Sequence, residues 1–287
     1  MRDMQADLVS NTLRKNVASL GANKYHYLLR TKIFENYPLS LPEMDNYFGS
    51  QNPSAYEYEI ELSADRAIAK MLRGRALHAT AHKRALLLEQ SLVRHVFARA
   101  FFNLTTPIPE SYLHDLVLVS RDVDLLYVLG SFAVNGILLS RSILGATYLP
   151  DELELIRLLE SAPVAEDTAV SFVYFATHIV IASSSFYTGA IRKDLRGNFV
   201  TMLQSVETTV AKFYRSLSFD AKLEYLLACK MVGYESKLYG RIVSEVDGTI
   251  TPLGYIVDPH MPGGIAAAEH RSMLYLGLMK WDVPWLE

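Results

Sequence analysis

Apolar residues return every three or four positions along most of the chain, in stretches broken by short runs rich in Gly, Pro, Asn and Asp. From Asp3 the apolar positions are Leu8, Val9, Leu13, Val17 and Leu20, a helical spacing that stops at Gly21. A second helix is expected over residues 25–34. Residues 36–62 contain Pro38, Pro42, Gly49 and Pro53 among scattered aromatics and read as an irregular connection or lid. Ser63 can cap a helix over 64–72, and 75–104 reads as one long helix ended by Thr105-Thr106-Pro107. Helices over 109–119 and 122–139 follow. Pro150 takes the first-turn position of a helix over 151–160, whose Asp151, Glu152 and Glu154 complement its positive end.

The second half reads as paired helices over 166–183, 194–214, 219–232, 234–246 and 264–281, with Ser218 as a cap and Gly233 as a stop. Residues 250–257 alone read as extended, too short a piece to change the class. The pattern predicts an all-α fold, a single helical domain over 1–287, with helical hairpins stacked in a ring or solenoid.

Composition narrows the setting. Half of the 287 residues are hydrophobic, 21% are charged and the net charge is -3, a globular balance with no general attraction for nucleic acid. The only cysteine, Cys229, excludes an intramolecular disulfide framework and suits a reducing, cytoplasmic setting. The first residues are charged and show no secretory signal. Residues 168–191 carry no charge and are long enough to span a bilayer, yet Thr177, His178, Ser183, Ser184, Ser185 and Gly189 interrupt them, so a buried helix followed by a turn is expected and no membrane association.

Three segments carry a resemblance: Phe175-Ala176-Thr177-His178-Ile179-Val180 running on to Phe186-Tyr187-Thr188-Gly189; the amphipathic stretch from Glu224 to Gly233; and Asp247-Gly248, a loop, then Glu269-His270-Arg271-Ser272-Met273. Together they resemble the α/α-toroid proteins, the helical-hairpin rings of terpenoid-cyclase and prenyltransferase type, over residues 166–287. The resemblance implies toroid-like hairpins there. The aspartate-rich signature of terpene cyclases is missing, Asp122-Val123-Asp124 being a lone D-x-D, and the cysteine-containing metal motifs are missing too. Fold can therefore be carried over, reaction cannot.

Candidate chemistry centres on His178, an imidazole on an uncharged helix among Tyr174, Phe175, Phe186 and Tyr187, suited to acid–base work or to metal binding. The alternative is a core histidine bonded to a neighbouring polar group. His270, near the start of the last helix, and Asp258 in the loop before it complete the expected catalytic set, with Asp247 and His260 beside the substrate. Asp247 before Gly248 and Asp258 before Pro259 are equally ordinary turn residues. A carboxylate with imidazole can also hold a divalent metal. His78 and His82 have the i, i+4 spacing of zinc helices, but Ala79 stands where the general base would be.

Lys70, Arg73, Arg75, Lys83, Arg84, Arg94 and Arg99 face only Glu89 across 70–99, a basic helical surface for an acidic partner or simply a solvated face. Cys229 reads as packing. No phosphate loop, dinucleotide fingerprint or nucleophile elbow is present. The expectation is an enzyme for a small molecule or peptide, performing cyclisation, hydrolysis or a related rearrangement in an aromatic-lined cavity. The alternative is a non-catalytic scaffold docking an acidic partner through its basic helix.

Overall fold

Helices account for nearly all the regular structure among the described residues; the exceptions are isolated bridge positions at Ile191, Ile250, Ile256 and Asp258, of which Ile250 and Ile256 pair antiparallel. The structure is a computed structural model and describes residues 2–16, 40–50, 76–121, 126, 130–162, 164–259 and 263–281. The expected helices over 25–34 and 64–72, together with Lys70, Arg73, Arg75, Asp122, Asp124 and His260, lie outside the described residues. Contacts divide the chain into two compact units, one of Met1–Leu39 with Ala190–Glu287 and one of Ser40–Gly189.

In the Ser40–Gly189 unit, α2 (Leu41–Ser50) forms inside the stretch expected to be irregular. Its start is a Ser-x-x-Glu pattern: the Ser40 hydroxyl accepts the Glu43 backbone N–H at 3.2 Å and donates to the Glu43 carboxylate at 2.8 Å. Pro42 falls in the first turn, where its missing N–H costs nothing. The long helix α3 (Ala76–Phe102) ends two residues short of the expected Leu104. A 3₁₀ turn at Glu110–Tyr112 leads into α4 (Leu113–Ser120), and α5 (Ser131–Leu144) ends on Gly145 in the left-handed region, φ 67°.

The next helix, α6 (Glu152–Ser161), begins after a reciprocal capping box in which Asp151 and Glu154 each bind the other's backbone N–H. Asp151 is thus the cap, and Pro150 stands one place before it. Helix α7 (Ala169–Ser183) closes the unit. Residues 133–140 of α5 are buried without a break, because α5 packs against α3, α4 and α7 at once. A helix covered on several sides needs apolar residues all round, which is why its sequence shows little amphipathicity.

In the other unit α1 (Arg2–Lys15) packs on α11 (Ile265–Lys280), and Lys280 pairs with Asp7. Helices α8 (Arg196–Lys212), α10 (Tyr239–Asp247) and α11 pack against α9 (Phe219–Val232). Ser218 accepts the Ala221 N–H at 3.3 Å to start α9, and Gly233, at φ 67°, ends it, as the pattern predicts. Every residue of α9 except Lys230 is buried. The Lys230 ammonium reaches the Gly277 and Leu278 carbonyls at 3.2 and 2.8 Å, a cation at the negative end of α11.

The Ile250–Ile256 bridge closes a tight loop whose Gly254 has φ 77°. A Cβ there would stand 2.3 Å from Thr12 Oγ1 of α1 and 2.9 Å from the Leu8 carbonyl oxygen, so only glycine lets the loop lie on α1. None of the helices among the described residues is long and apolar enough to cross a membrane.

Candidate functional site

Because α5 lies between α3 and α7, one polar residue on it can touch both neighbours, and Asn135 does. Its side-chain N–H donates to Glu89 Oε1 of α3 at 3.0 Å, and its Oδ1 lies 2.9 Å from His178 Nδ1 of α7. An amide nitrogen only donates and an amide oxygen only accepts, so with Nδ2 on the carboxylate, Nδ1 of His178 must carry the hydrogen. Glu89 and Asn135 are 0% exposed and His178 is 2% exposed, so the chain of bonds is screened from bulk water. Gly136, next to Asn135, would place a Cβ 3.3 Å from Leu116 of α4 and 3.6 Å from the Glu89 Cβ, so its bare backbone allows the close approach.

Of the aromatic residues expected around His178, Phe186 packs against the imidazole. Phe175, Phe186 and Tyr187 are buried, and Tyr174, one turn before His178, is half-buried. The Phe186 ring meets the imidazole edge-on at 6.2 Å and Phe97 of α3 at the same separation. What carries Phe186 inward is a left-handed turn at the end of α7: Ser185, Phe186 and Tyr187 have φ of 48°, 55° and 65°. Three consecutive non-glycine residues in that region store backbone strain of about 1 kcal/mol or more each. The turn is held by the Ser184 hydroxyl, which accepts the Tyr187 N–H at 2.9 Å, and by the Gly189 N–H to the Ser184 carbonyl at 2.9 Å. The aromatic-Gly turn read from the sequence exists, but the unusual backbone belongs to the residues before Gly189.

The remaining candidates belong to the other unit. His270 is 23% exposed, and its Nδ1 is 3.7 Å from Asp220 Oδ1, which also faces Arg271 Nε at 3.5 Å. Asp258 is fully buried and accepts the Phe219 N–H at 2.6 Å, covering an N-terminal donor of α9. Asp247 ends α10, where it accepts the Tyr275 hydroxyl at 2.7 Å and its carbonyl accepts the Gln5 amide at 3.2 Å. Both aspartates are thus engaged in holding helices. The structure brings His178 to Glu89 and Asn135, and His270 to Asp220 and Arg271.

Two charged groups of this unit were not singled out in the sequence. Lys222 is 2% exposed, its ammonium 4.1 Å from the Tyr214 ring and 3.5 Å from Glu245. Burial pulls its pKa below the usual lysine value, against the opposing pull of Glu245. Tyr214 donates to the same carboxylate at 2.5 Å, and burial with that bond raises its pKa. Glu207 accepts from Ser236, Tyr225, Tyr234 and the Lys237 N–H at 2.7, 3.0, 3.2 and 3.0 Å. Burial alone would raise the Glu207 pKa, but those four donors hold it below the ordinary value. Cys229 is buried, which pushes its thiol up to about 12 and leaves it a packing residue.

The basic surface of α3 is partly neutralised. Arg94 pairs with Asp45 at 2.7 Å, and Arg84 lies 3.8 Å from Asp115 and over the Tyr112 ring. His95 accepts the Thr106 N–H at 3.3 Å. Among the described residues no three His, Cys, Asp or Glu side chains gather to hold a metal ion. Glu89 and Asn135 did leave a trace in the sequence: each is a polar residue inside an apolar run, Leu86-Leu87-Leu88-Glu89 and Ala133-Val134-Asn135-Gly136-Ile137. No protein-family model, curated protein or solved structure matches the chain.

Proposed function

We propose that the protein is an acid–base enzyme acting on a small molecule, with His178 as the proton-transferring group. The observation that carries this reading is the buried chain from Glu89 through Asn135 to His178. A carboxylate that reaches an imidazole through an amide fixes the ring's tautomer and orientation and favours a positive charge on it during proton transfer. Proton exchange with the substrate is assigned to Nε2, since Nδ1 is committed to Asn135. The ring is 2% exposed, so a neighbour must move before substrate reaches it. The strained Ser185–Tyr187 turn, which holds Phe186 against the ring, is the element suited to that movement. The toroid relationship and a biosynthetic, cytoplasmic role belong to the same proposal, supported by the Thr-His helix and by the Asp247-Gly248 loop leading to the His270 helix.

The test is incubation of the protein with metabolite and short-peptide mixtures, followed by mass spectrometry. The wild-type protein is expected to convert at least one compound. His178→Ala is expected to slow that conversion by about 10² or more while circular dichroism shows an intact fold. Equal conversion by His178→Ala, or no compound converted by the wild type, would overturn the reading.

A further inference from the structure

We infer that the cavity between α2 and α3 is a binding site for an uncharged small molecule that carries an amide-type edge on an apolar ring. The space is about 390 Å³ and is lined by Asp45 and Phe48 of α2 and by Leu87, Gln90, Ser91 and Arg94 of α3. The four α3 residues follow the i, i+3, i+4, i+7 spacing of a single helix face. The volume falls within the range of small-molecule sites, about 300–1,000 Å³.

Gln90 decides what the cavity takes. It is 5% exposed, it lines the space, and its amide makes no hydrogen bond with any described residue. The amide faces this open space, so a bound group that donates to its oxygen and accepts from its nitrogen takes the place that water otherwise fills. An amide, lactam or urea edge does both at once. The neighbouring charges do not ask for an ion. Arg94 Nε and Nη2 both donate to Asp45 Oδ1, at 3.1 and 2.7 Å, so the two charges neutralise each other at the wall. The Ser91 hydroxyl donates to the Leu87 carbonyl at 2.8 Å and offers the cavity only acceptor lone pairs. Phe48 supplies an aromatic face, itself packed edge-on against Phe97 at 6.1 Å. Neutral polarity, one aromatic wall and one amide seeking its complement together select a flat, uncharged ring bearing a carboxamide-like group. The inference stands apart from any catalytic role of His178.

Benzamide and benzoate are suitable probes, being alike in size and differing in charge and in donors. Binding would be followed by ligand-observed NMR titration of the full chain. The wild-type protein is expected to bind benzamide at least tenfold more tightly than benzoate, and Gln90→Leu to weaken benzamide by tenfold or more. Gln90→Glu keeps the shape but turns the amide into a carboxylate, so the preference should pass from benzamide to benzamidine. That gain cannot come from misfolding. No benzamide binding by the wild type, equal binding by Gln90→Leu, or a Gln90→Glu protein without the switch would each overturn the inference.

Discussion

Replacing Asn135 by Leu, which is close to it in size, removes the middle of the Glu89–Asn135–His178 chain without opening a cavity. Two buried hydrogen bonds disappear, one of them to a carboxylate. A bond to a charged group contributes about 1.5–3 kcal/mol and a neutral one about 1 kcal/mol, and the groups left behind in a fully buried setting bring the cost to about 3–5 kcal/mol. The apolar side chain that takes Asn135's place offsets about 1 kcal/mol of this, so a net loss of about 2–4 kcal/mol is expected. Tryptophan fluorescence is a poor choice, because Trp281 belongs to the other unit. Hydrogen exchange read by mass spectrometry on peptides from α5 and α7 reports the right unit. Protection there should fall by roughly 30- to 1000-fold, each factor of ten being about 1.4 kcal/mol. Adding Glu89→Leu to Asn135→Leu should recover part of the loss, because the buried carboxylate goes with its donor. A change in protection below about fivefold, or a double variant whose loss is the sum of the two single ones, would refute the reasoning.

Other consequences follow from individual residues. Ser185→Gly places at φ 48° the residue that tolerates it best and should stabilise the Ser40–Gly189 unit by about 0.5–1 kcal/mol, measured by the same exchange method; a loss would mean that the turn is not strained. Gly254→Ala brings a methyl group within 2.3 Å of Thr12 Oγ1 and should cost about 1–3 kcal/mol, seen as a drop in melting temperature that Thr12→Ala only partly relieves. On the acid side Glu207, whose folded pKa is depressed, gives stability that is present above its unfolded pKa and lost as pH falls, so Glu207→Gln should flatten that arm of a stability–pH curve. On the alkaline side the Cys229 thiol, raised from 9.0 to about 12, gives stability that is lost as pH rises through that window, and Cys229→Ala should lessen the slope there.

Where local chemistry decides an element, the sequence shows it. Ser218 and Gly233 bound α9, and the acids at the start of α6 lie where its positive end needs them, because caps and helix ends depend on residues a few positions apart. Within 36–62, a proline does not keep residues 41–50 irregular: Pro42 sits in a first turn, and the Ser40–Glu43 pair starts a helix regardless. The candidate site is half legible. His178 and its aromatic neighbours stood out, whereas its partner Asn135 lies 43 positions away and meets it only because α5 packs beside α7. Asp258 reads as catalytic and Asp247 as substrate-facing because turns and functional loops favour the same amino acids; which they serve depends on whether a donor such as Tyr275 or the Phe219 N–H is brought to them.

The most direct test of the account is the hydrogen on the His178 ring, observed by long-range ¹H–¹⁵N NMR of protein labelled on histidine. If Glu89 and Asn135 orient the imidazole, the spectrum should show a slowly exchanging proton on Nδ1 of His178 that disappears in Asn135→Leu. A proton found on Nε2 with Nδ1 bare, or an Nδ1 signal unchanged by Asn135→Leu, would contradict it.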